Sequence, residues 1–367
     1  MRPRSRALIG FLVLLAIPVR AQAPRVTRAR STPLNGPSAL ALDNDGHLFV
    51  VEEEEHRVRR IDLRKGTMET VAGNRKDCCY SDGIAATKAG LFYVAALAVD
   101  LKGNLLIAEW QRILKVDART GLISTVAGTG KEGATAERSP ALSVNFSLIS
   151  GLALDSAGNL FISDGGQGKI FKVDPSSGTV SRVAGSGKAG FSGDGASAVD
   201  ASFRSLRSIA LDAAGNLFVA DSANCRIRRI DHQTGIIDTI AQTGGPHENC
   251  PPQPGAIPYQ PSPSDPAVDL QGHVYFVQGS EDVVARVGPD PQKQSIAAGT
   301  GERGFGGDGG PATSAKLANP AGLAVDSEGN LFISEFVNNR IRRVDAKTGI
   351  ITTVAGNGLP HRVDLEM

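Results

Sequence analysis

Aromatic side chains are scarce in this chain: Phe, Trp and Tyr make up 5% of the 367 residues, and there is one Trp. Proteins that bind single-stranded nucleic acid use aromatic rings as stacking platforms, so the scarcity argues against that class. The formal charge is +1. It falls to −3 once an N-terminal segment carrying four arginines is removed: Arg2, Arg4, Arg6 and Arg20. A weakly acidic protein has no overall electrostatic attraction to nucleic acid.

Long apolar runs are missing after the first 20 residues. The sequence ALIGFLVLLAIPV follows the basic stretch MRPRSR and is too short to span a bilayer comfortably. These features predict a signal peptide, residues 1–21, that is cleaved after Ala21. The mature chain is then expected to have no membrane span and to be exported to the periplasm or the extracellular space.

Cysteine and histidine are also few, with four and six residues. No His pair has the spacing H-E-x-x-H, and no G-x-S-x-G elbow is present. The cysteines are not arranged as paired C-x-x-C units, which argues against a zinc cage. In an oxidising compartment we predict a disulfide between Cys225 and Cys250, both on loops around one repeat. Cys78 and Cys79 either form a vicinal disulfide or stay reduced.

One unit recurs six times, at intervals of about 57 residues. Its clearest copy is AGLAVDSEGNLFISEFVNNRIRRVDAKTGIITTVAG, residues 321–356. The Asp that closes the first strand marks each copy: Asp43, Asp100, Asp155, Asp212, Asp269 and Asp326. Repeats of this length with several short strands are typical of propeller blades around an axis. The sequence therefore predicts an all-β fold, a six-bladed β-propeller over residues 37–367, preceded by a linker, 22–36.

Each copy predicts four antiparallel strands, which in the last one are GLAVD, NLFIS, RIRRVD and ITTVAG. The first strand ends in Asp-x-x-Gly-Asn, as in Asp155 to Asn159. The third ends in Asp-x-x-x-Gly, as in Asp231 to Gly235. An Asp side chain that accepts a backbone N–H two residues on, with a Gly at positive φ, accounts for these recurrences as turns.

The pattern G-[LI]-A-[LV]-D-x-x-G-N-L-[FY]-[IV]-[SA]-[DE]-x-x-N-x-R-I-R-R-[VI]-D resembles the NHL repeat family. The resemblance runs from Ser38 to Gly356, and the linkers at 185–203 and 299–317 are similar to those of bacterial and teneurin-type NHL arrays. It implies a six-bladed propeller. It does not imply one function, because NHL propellers serve as binding scaffolds, RNA readers, lyases and sensor ectodomains. Two alternatives remain for how the ring closes. Residues 25–30 add an edge strand, or side-chain packing alone holds the first and last blades together.

The long connections lie between blades, at 74–94, 129–149, 186–206, 243–265 and 300–319, so one face of the propeller is elaborated. Part of each connection is expected to be a short helix packing down, from the spacing of Ala312, Ala315 and Leu317.

Carboxylates recur at the end of the second strand, on the side of the elaborated face. One alternative is a ligand or metal site at the channel mouth, with pKa values raised by mutual repulsion. The other, which we favour, is that each acid caps its turn and pairs with the base that begins the third strand: Arg57, Arg112, Lys169, Arg226 or Arg340. The six positions are Glu52, Glu109, Asp164, Asp221, Gln278 and Glu335.

Three inter-blade loops carry an Asp-Gly turn, at Asp82, Asp194 and Asp308. Their carboxylates could bind calcium, the one cofactor considered, but further acidic ligands are missing and a structural turn is the favoured alternative. Trp110, beside Glu109, either stacks on a ligand or covers its blade. Blade five, with Gln278 and eight prolines in residues 246–266, is either a specialised rim presenting Tyr259 or the product of drift.

The expectation for function is an exported, non-catalytic binding or interaction module, monomeric, that presents a protein, peptide or glycan ligand to the elaborated face. Basic runs such as Arg226 to Arg229 lie within strands, one per blade, so nucleic acid is not an expected partner. The alternative is a metal-dependent lactonase or lyase at the acidic mouth. It would need a mixed Glu/Asn/Asp calcium site of the gluconolactonase type, which Glu52, Glu109, Asp164 and Glu335 could imitate.

Overall fold

The computed structural model describes residues 26–77, 82–243, 263–278, 281–291 and 293–359. The predicted signal peptide, Cys78, Cys79, Cys250 and Tyr259 lie outside these ranges. In the described part of the chain no helix has the length and apolar character needed to cross a membrane.

Six antiparallel sheets, each with four main strands in sequence order, confirm the predicted blades. Blade one contains Pro37–Leu42, His47–Glu52, Arg57–Asp62 and Thr67–Ala72. Blade two contains Val94–Val99, Leu105–Glu109, Arg112–Val116 and Ile123–Ala127. Blade three contains Ile149–Leu154, Leu160–Asp164, Lys169–Val173 and Val180–Ala184.

The second half of the ring repeats this arrangement. Blade four contains Leu206–Leu211, Leu217–Asp221, Arg226–Ile230 and Ile236–Gln242. Blade five contains Pro263–Val268, Val274–Gln278, Val283–Val287 and Gln294–Ala298. Blade six contains Pro320–Val325, Leu331–Glu335, Arg340–Val344 and Ile351–Ala355. The first strands of neighbouring blades lie against one another in a closed circle, with that of blade six against that of blade one.

The apolar core consists of six wedges, one between each pair of neighbouring blades. The second strands lie in the middle of these wedges and are buried throughout, as in Leu160–Asp164 and Leu331–Glu335. Burial on both faces explains why their sequences are almost continuously apolar rather than alternating. Each wedge needs both neighbours, so the blades stabilise one another around the ring.

The repeated turn residues act as the sequence predicts. The Asp155 carboxylate accepts the backbone N–H groups of Ala157 and Asn159 at 2.9 and 2.8 Å, and the side-chain amide of Asn159 at 2.7 Å. Gly158 has a φ of 82°. In blades one and five a histidine ring takes the place of the Asn amide: His47 Nδ1 lies 2.7 Å from Asp43. These carboxylates are therefore part of the scaffold.

The inter-blade connections fold down as short 3-10 helices, which confirms the prediction made from the Ala312 spacing; Ala315 and Leu317 are fully buried. Equivalent helices occur in the connections at Ala86–Lys88, Ala141–Ser143, Ala198–Asp200 and Ala312–Ser314. Two other short 3-10 helices, Glu53–Glu55 and Ser222–Asn224, follow the second strand of blades one and four. Ala196–Ser197 adds a fifth, edge strand to blade four.

The N-terminal segment closes the ring, which decides between the two alternatives that the sequence left open. Thr27–Arg28 pairs with Thr67 and Met68 as an edge strand of blade one, and Ala29–Ser31 forms one more 3-10 helix. The Ala29 carbonyl accepts the N–H of Gly356, as the Ala312 carbonyl accepts that of Gly299. The segment thus occupies the place of a connection between blades six and one.

Candidate functional site: the channel at the loop face

A cavity of about 850 Å³ opens at the channel mouth on the loop face, and all six blades contribute to its wall. Its volume lies within the range of small-molecule sites, roughly 300–1,000 Å³. The wall consists mainly of the starts of the first strands and the residues just before them. Its polar residues include Ser38, Glu53, His56, Arg204, Arg207 and Asp265.

The second-strand acids serve the loops rather than the cavity. Of the six positions, Glu52 is in the cavity wall, and the other five are not among the residues that line it. Asp164 accepts the backbone N–H groups of Ser147 and Leu148 at 2.8 and 3.0 Å, and the side-chain amide of Gln167 at 2.6 Å. Each acid therefore fastens the end of its inter-blade loop, which favours the capping alternative.

The predicted partners of these acids are correct in blades one and two. Arg57 Nε binds Glu52 at 2.5 Å, and Arg112 Nε binds Glu109 at 2.6 Å. Lys169 is not a partner of Asp164 within the described residues, because Gln167 takes its place.

In blades four and six the predicted partners, Arg226 and Arg340, are wrong. Asp221 is bound on both oxygens by the Asn224 amide at 2.9 Å, and its nearest guanidinium is Arg228 at 3.7 Å. Arg226, left without the carboxylate, donates to the Asn224 carbonyl and stacks over Phe191 at 3.8 Å.

Blade six repeats this exchange: Asn338 and Arg342 bind Glu335, and Arg340 stacks over Phe305. Burial raises the pKa of Asp221 and Glu335, while the nearby amides and arginines lower it. Gln278, in blade five, is fully buried.

The three candidate cation ligands hold loops to strands. Asp308 binds the fully buried Arg342 at 2.7 Å and accepts the N–H of Thr353 at 3.0 Å. Asp194 binds Arg228 and Thr239 in the same way, and Asp82 accepts from Thr125. Within the described ranges no group of three or more His, Cys, Asp and Glu side chains is arranged to hold a metal ion. The oxygen atoms that calcium would need are occupied by arginine and threonine donors.

The basic runs are mostly buried. Arg228 and Arg342 are 0% exposed and Arg59 is 5% exposed, so the runs do not form a basic surface. Cys225 is buried and disulfide-bonded. Its partner is outside the described residues, so the pairing with Cys250 stays a prediction.

Trp110 belongs to an exposed aromatic cluster at the rim of the cavity. Its ring stacks on Phe92 with centroids 5.2 Å apart, and Tyr93 meets it edge-on at 5.6 Å. The three side chains are 38–56% exposed. Phe92 and Tyr93 line the cavity.

Sequence reasoning did not single out Phe92, Tyr93, Ser38, Arg207 or Asp265. A signal for two of them was present: Arg207 stands where other blades have Ser or Ala, and Asp265 where they have Ala, Gly or Ser. Departures from the repeat at the start of the first strand therefore mark the channel wall.

Comparison with known proteins supports this architecture. A model of the teneurin NHL domain matches residues 290–362. Protein SUPPRESSOR OF QUENCHING 1, chloroplastic, from Arabidopsis thaliana is 25% identical over 361 aligned residues, which cover 91% of this chain and 32% of that protein. The chain thus spans about a third of the length of this relative.

Two solved structures share the fold. An auxiliary nutrient binding protein from Bacteroides thetaiotaomicron superposes with a TM-score of 0.60 at 17% identity, over 88% of this chain and 70% of that one. Virginiamycin B lyase from Staphylococcus aureus superposes with a TM-score of 0.50 at 13% identity, over 93% and 89%. At these identities the likeness shows the fold alone.

The closed ring of four-stranded sheets defines the chain as a six-bladed β-propeller. The repeat that builds each blade resembles the NHL repeat, and the match to the teneurin NHL domain over residues 290–362 supports an NHL-repeat propeller.

Proposed function

We propose that this NHL-repeat propeller is an exported, non-catalytic binding module that takes its ligand into the channel cavity on the loop face. The observation that carries the proposal is the cavity of about 850 Å³, walled by all six blades. A wall assembled from six rigid blades is pre-formed, so a ligand would bind without ordering a mobile site.

Two arginines and one serine of the cavity wall support a binding role. Ser38 lines the cavity, and its buried hydroxyl has no hydrogen-bond partner among the residues that the structure describes. The side chains of Arg204 and Arg207 are exposed and form no salt bridge within the described residues. The carboxylates outside the cavity wall, such as Asp164, are by contrast occupied by the loops they fasten.

Export rests on the sequence of residues 1–21. A binding role is consistent with the auxiliary nutrient binding protein from Bacteroides thetaiotaomicron, which has the same fold. Peptides and glycans are the ligand classes to test first, because a protein partner would contact the loops rather than enter the channel.

The test is a binding screen with a plugged channel. Mature protein is screened by thermal shift against peptides and oligosaccharides, and hits are titrated by calorimetry. The Ala321→Trp substitution places a large side chain in the cavity. Leu270→Trp, on an exposed turn, is the matched control. Loss of binding in Ala321→Trp but not in the control is expected. Binding that survives the plug, or the absence of any hit, would overturn the proposal.

A further inference from the structure

We infer that the ligand of the channel is a short acidic saccharide, whose sugar rings stack on the Trp110 cluster and whose carboxylate binds the arginines of blade four. The inference rests on the proposed function and adds the ligand class. Three features of the cavity and its rim carry it: exposed aromatic side chains, two guanidinium groups without a salt bridge in the described part of the chain, and a wall of hydroxyls.

A strained backbone conformation holds the aromatic side chains in an exposed position. Tyr93 and Trp110 have φ values of 44° and 33°, which bulky side chains rarely adopt. Phe92, Tyr93 and Trp110 together form an exposed apolar platform on a chain with few aromatic residues. A pyranose ring presents a flat face of C–H groups with hydroxyls at its edge, which suits a platform that is apolar in the middle and polar around it.

Arg204 and Arg207 supply the charge preference. Both are exposed, line the cavity and have no carboxylate bound to the guanidinium within the described residues. An arginine binds a carboxylate through two parallel hydrogen bonds, which a neutral hydroxyl cannot match. A ligand carboxylate would form the paired hydrogen bonds that no carboxylate of the described residues makes with these two guanidinium groups.

The cavity also contains acidic groups, and their partners leave the arginines available. Glu52 is bound to Arg57 and Arg59. Burial raises the pKa of Asp265, while Ser264, Ser208 and the charge of Arg207 act in the opposite direction. Besides the two arginines, the other titratable residues in the wall are Glu53, His56 and Tyr93. Asp265 is therefore placed to bind sugar hydroxyls rather than to neutralise Arg207 fully.

Serine hydroxyls complete the wall. Those in the cavity are Ser38, Ser150, Ser205, Ser208 and Ser264. A hydroxyl both donates and accepts, as sugar hydroxyls do, so each contact can form in either direction.

The experiment compares a charged saccharide with its neutral form. Trigalacturonate and its fully methyl-esterified form are titrated into mature protein by calorimetry. We expect the ester to bind at least tenfold more weakly, since a hydrogen bond to a charged group is worth about tenfold to a hundredfold in affinity. Arg207→Gln should reduce that difference, because one of the two guanidinium groups that favour the acid is then missing. Trp110→Leu should weaken both ligands, and Arg119→Gln, on an exposed turn, should change neither.

The outcomes separate the two proposals. Equal binding of acid and ester, or an undiminished preference for the acid in Arg207→Gln, overturns the acidic part. Binding of tetraglutamate with no saccharide binding overturns the saccharide class while the binding function stands. If trigalacturonate fails but the broad screen finds another channel ligand, only this inference is lost. If neither experiment finds a ligand, the proposed function fails as well.

Discussion

The backbone N–H of Gly356, in the last blade, donates a hydrogen bond to the carbonyl of Ala29, near the start of the described chain, at 3.0 Å. The same bond joins Gly299 to Ala312 within the continuous part of the ring. The N-terminal segment therefore holds the first and last blades together as an ordinary inter-blade connection holds its neighbours.

Leu34→Ala tests this closure. Leu34 is fully buried in the wedge between blades six and one, as Leu317 is between blades five and six. Each alanine substitution should lower the free energy of unfolding by about 2–5 kcal/mol, as cavity formation in a core does. Urea unfolding followed by circular dichroism measures it. A loss below about 0.5 kcal/mol for Leu34→Ala alone, in the range of ordinary surface substitutions, would show that the segment does not close the ring.

Asp308→Ala should destabilise the protein because it removes a partner of the fully buried Arg342. We expect about 2–3 kcal/mol, below the 3–5 kcal/mol of a fully broken buried pair, because Glu335 still binds the guanidinium. Asp82→Ala is the matched control: its contacts are with Thr125, and it should cost about 0.5–1.5 kcal/mol. Equal losses in the two variants, measured by urea unfolding, would contradict the role given to Arg342.

Thermal melts in calcium and in chelator should coincide, because arginine and threonine donors already occupy Asp194 and Asp308. A ligand that binds the native state raises its stability by RT ln(1 + [L]/Kd), so a site filled to 100 times its Kd would add about 2.7 kcal/mol. A chelator-sensitive melt with one equivalent of bound metal, detected by elemental mass spectrometry, would instead favour the metal-dependent lactonase or lyase.

Asp164→Ala should reduce stability without changing the affinity of a channel ligand. The substitution leaves the N–H groups of Ser147 and Leu148 without their acceptor, at about 1–3 kcal/mol for each buried group. Asp164→Asn, which keeps one acceptor oxygen, should lose less. Unfolding and ligand titration of both variants decide the matter. A variant that stays fully stable but loses binding would show that Asp164 belongs to the ligand site.

Acid should weaken the fold through the turn carboxylates that end third strands. Hydrogen bonds lower the pKa of Asp62, Asp174 and Asp231 from 3.8 to about 2. A lowered folded-state pKa stabilises the protein above the unfolded value, and this stability is lost as the pH falls from about 4 to about 2. Melting temperatures between pH 5 and pH 2 should fall less steeply for Asp174→Asn with Asp231→Asn than for the unmodified protein. If the melting temperatures of the variant and of the unmodified protein fall equally with pH, these carboxylates do not cause the acid destabilisation.

The sequence by itself determined the number of blades, the four strands of each and the role of the turn carboxylates. These features are local: the bonds from Ala157 and Asn159 to Asp155 join residues within one turn, so their spacing is visible in the chain. The fastening of loops by second-strand acids was also predictable in blades one and two, where the arginine lies a few residues further on.

Only the tertiary structure decided which polar groups face the channel, which arginine meets which acid, and how the ring closes. Arg342 binds Asp308 because an inter-blade loop folds back over the strand. The side-chain amide of Asn338, rather than Arg340, binds Glu335. The Trp110 cluster joins a turn to an inter-blade connection, and the cavity wall brings Arg207 of blade four near Asp265 of blade five. Contacts of this kind depend on how blades pack rather than on spacing along the chain, and they form the candidate site.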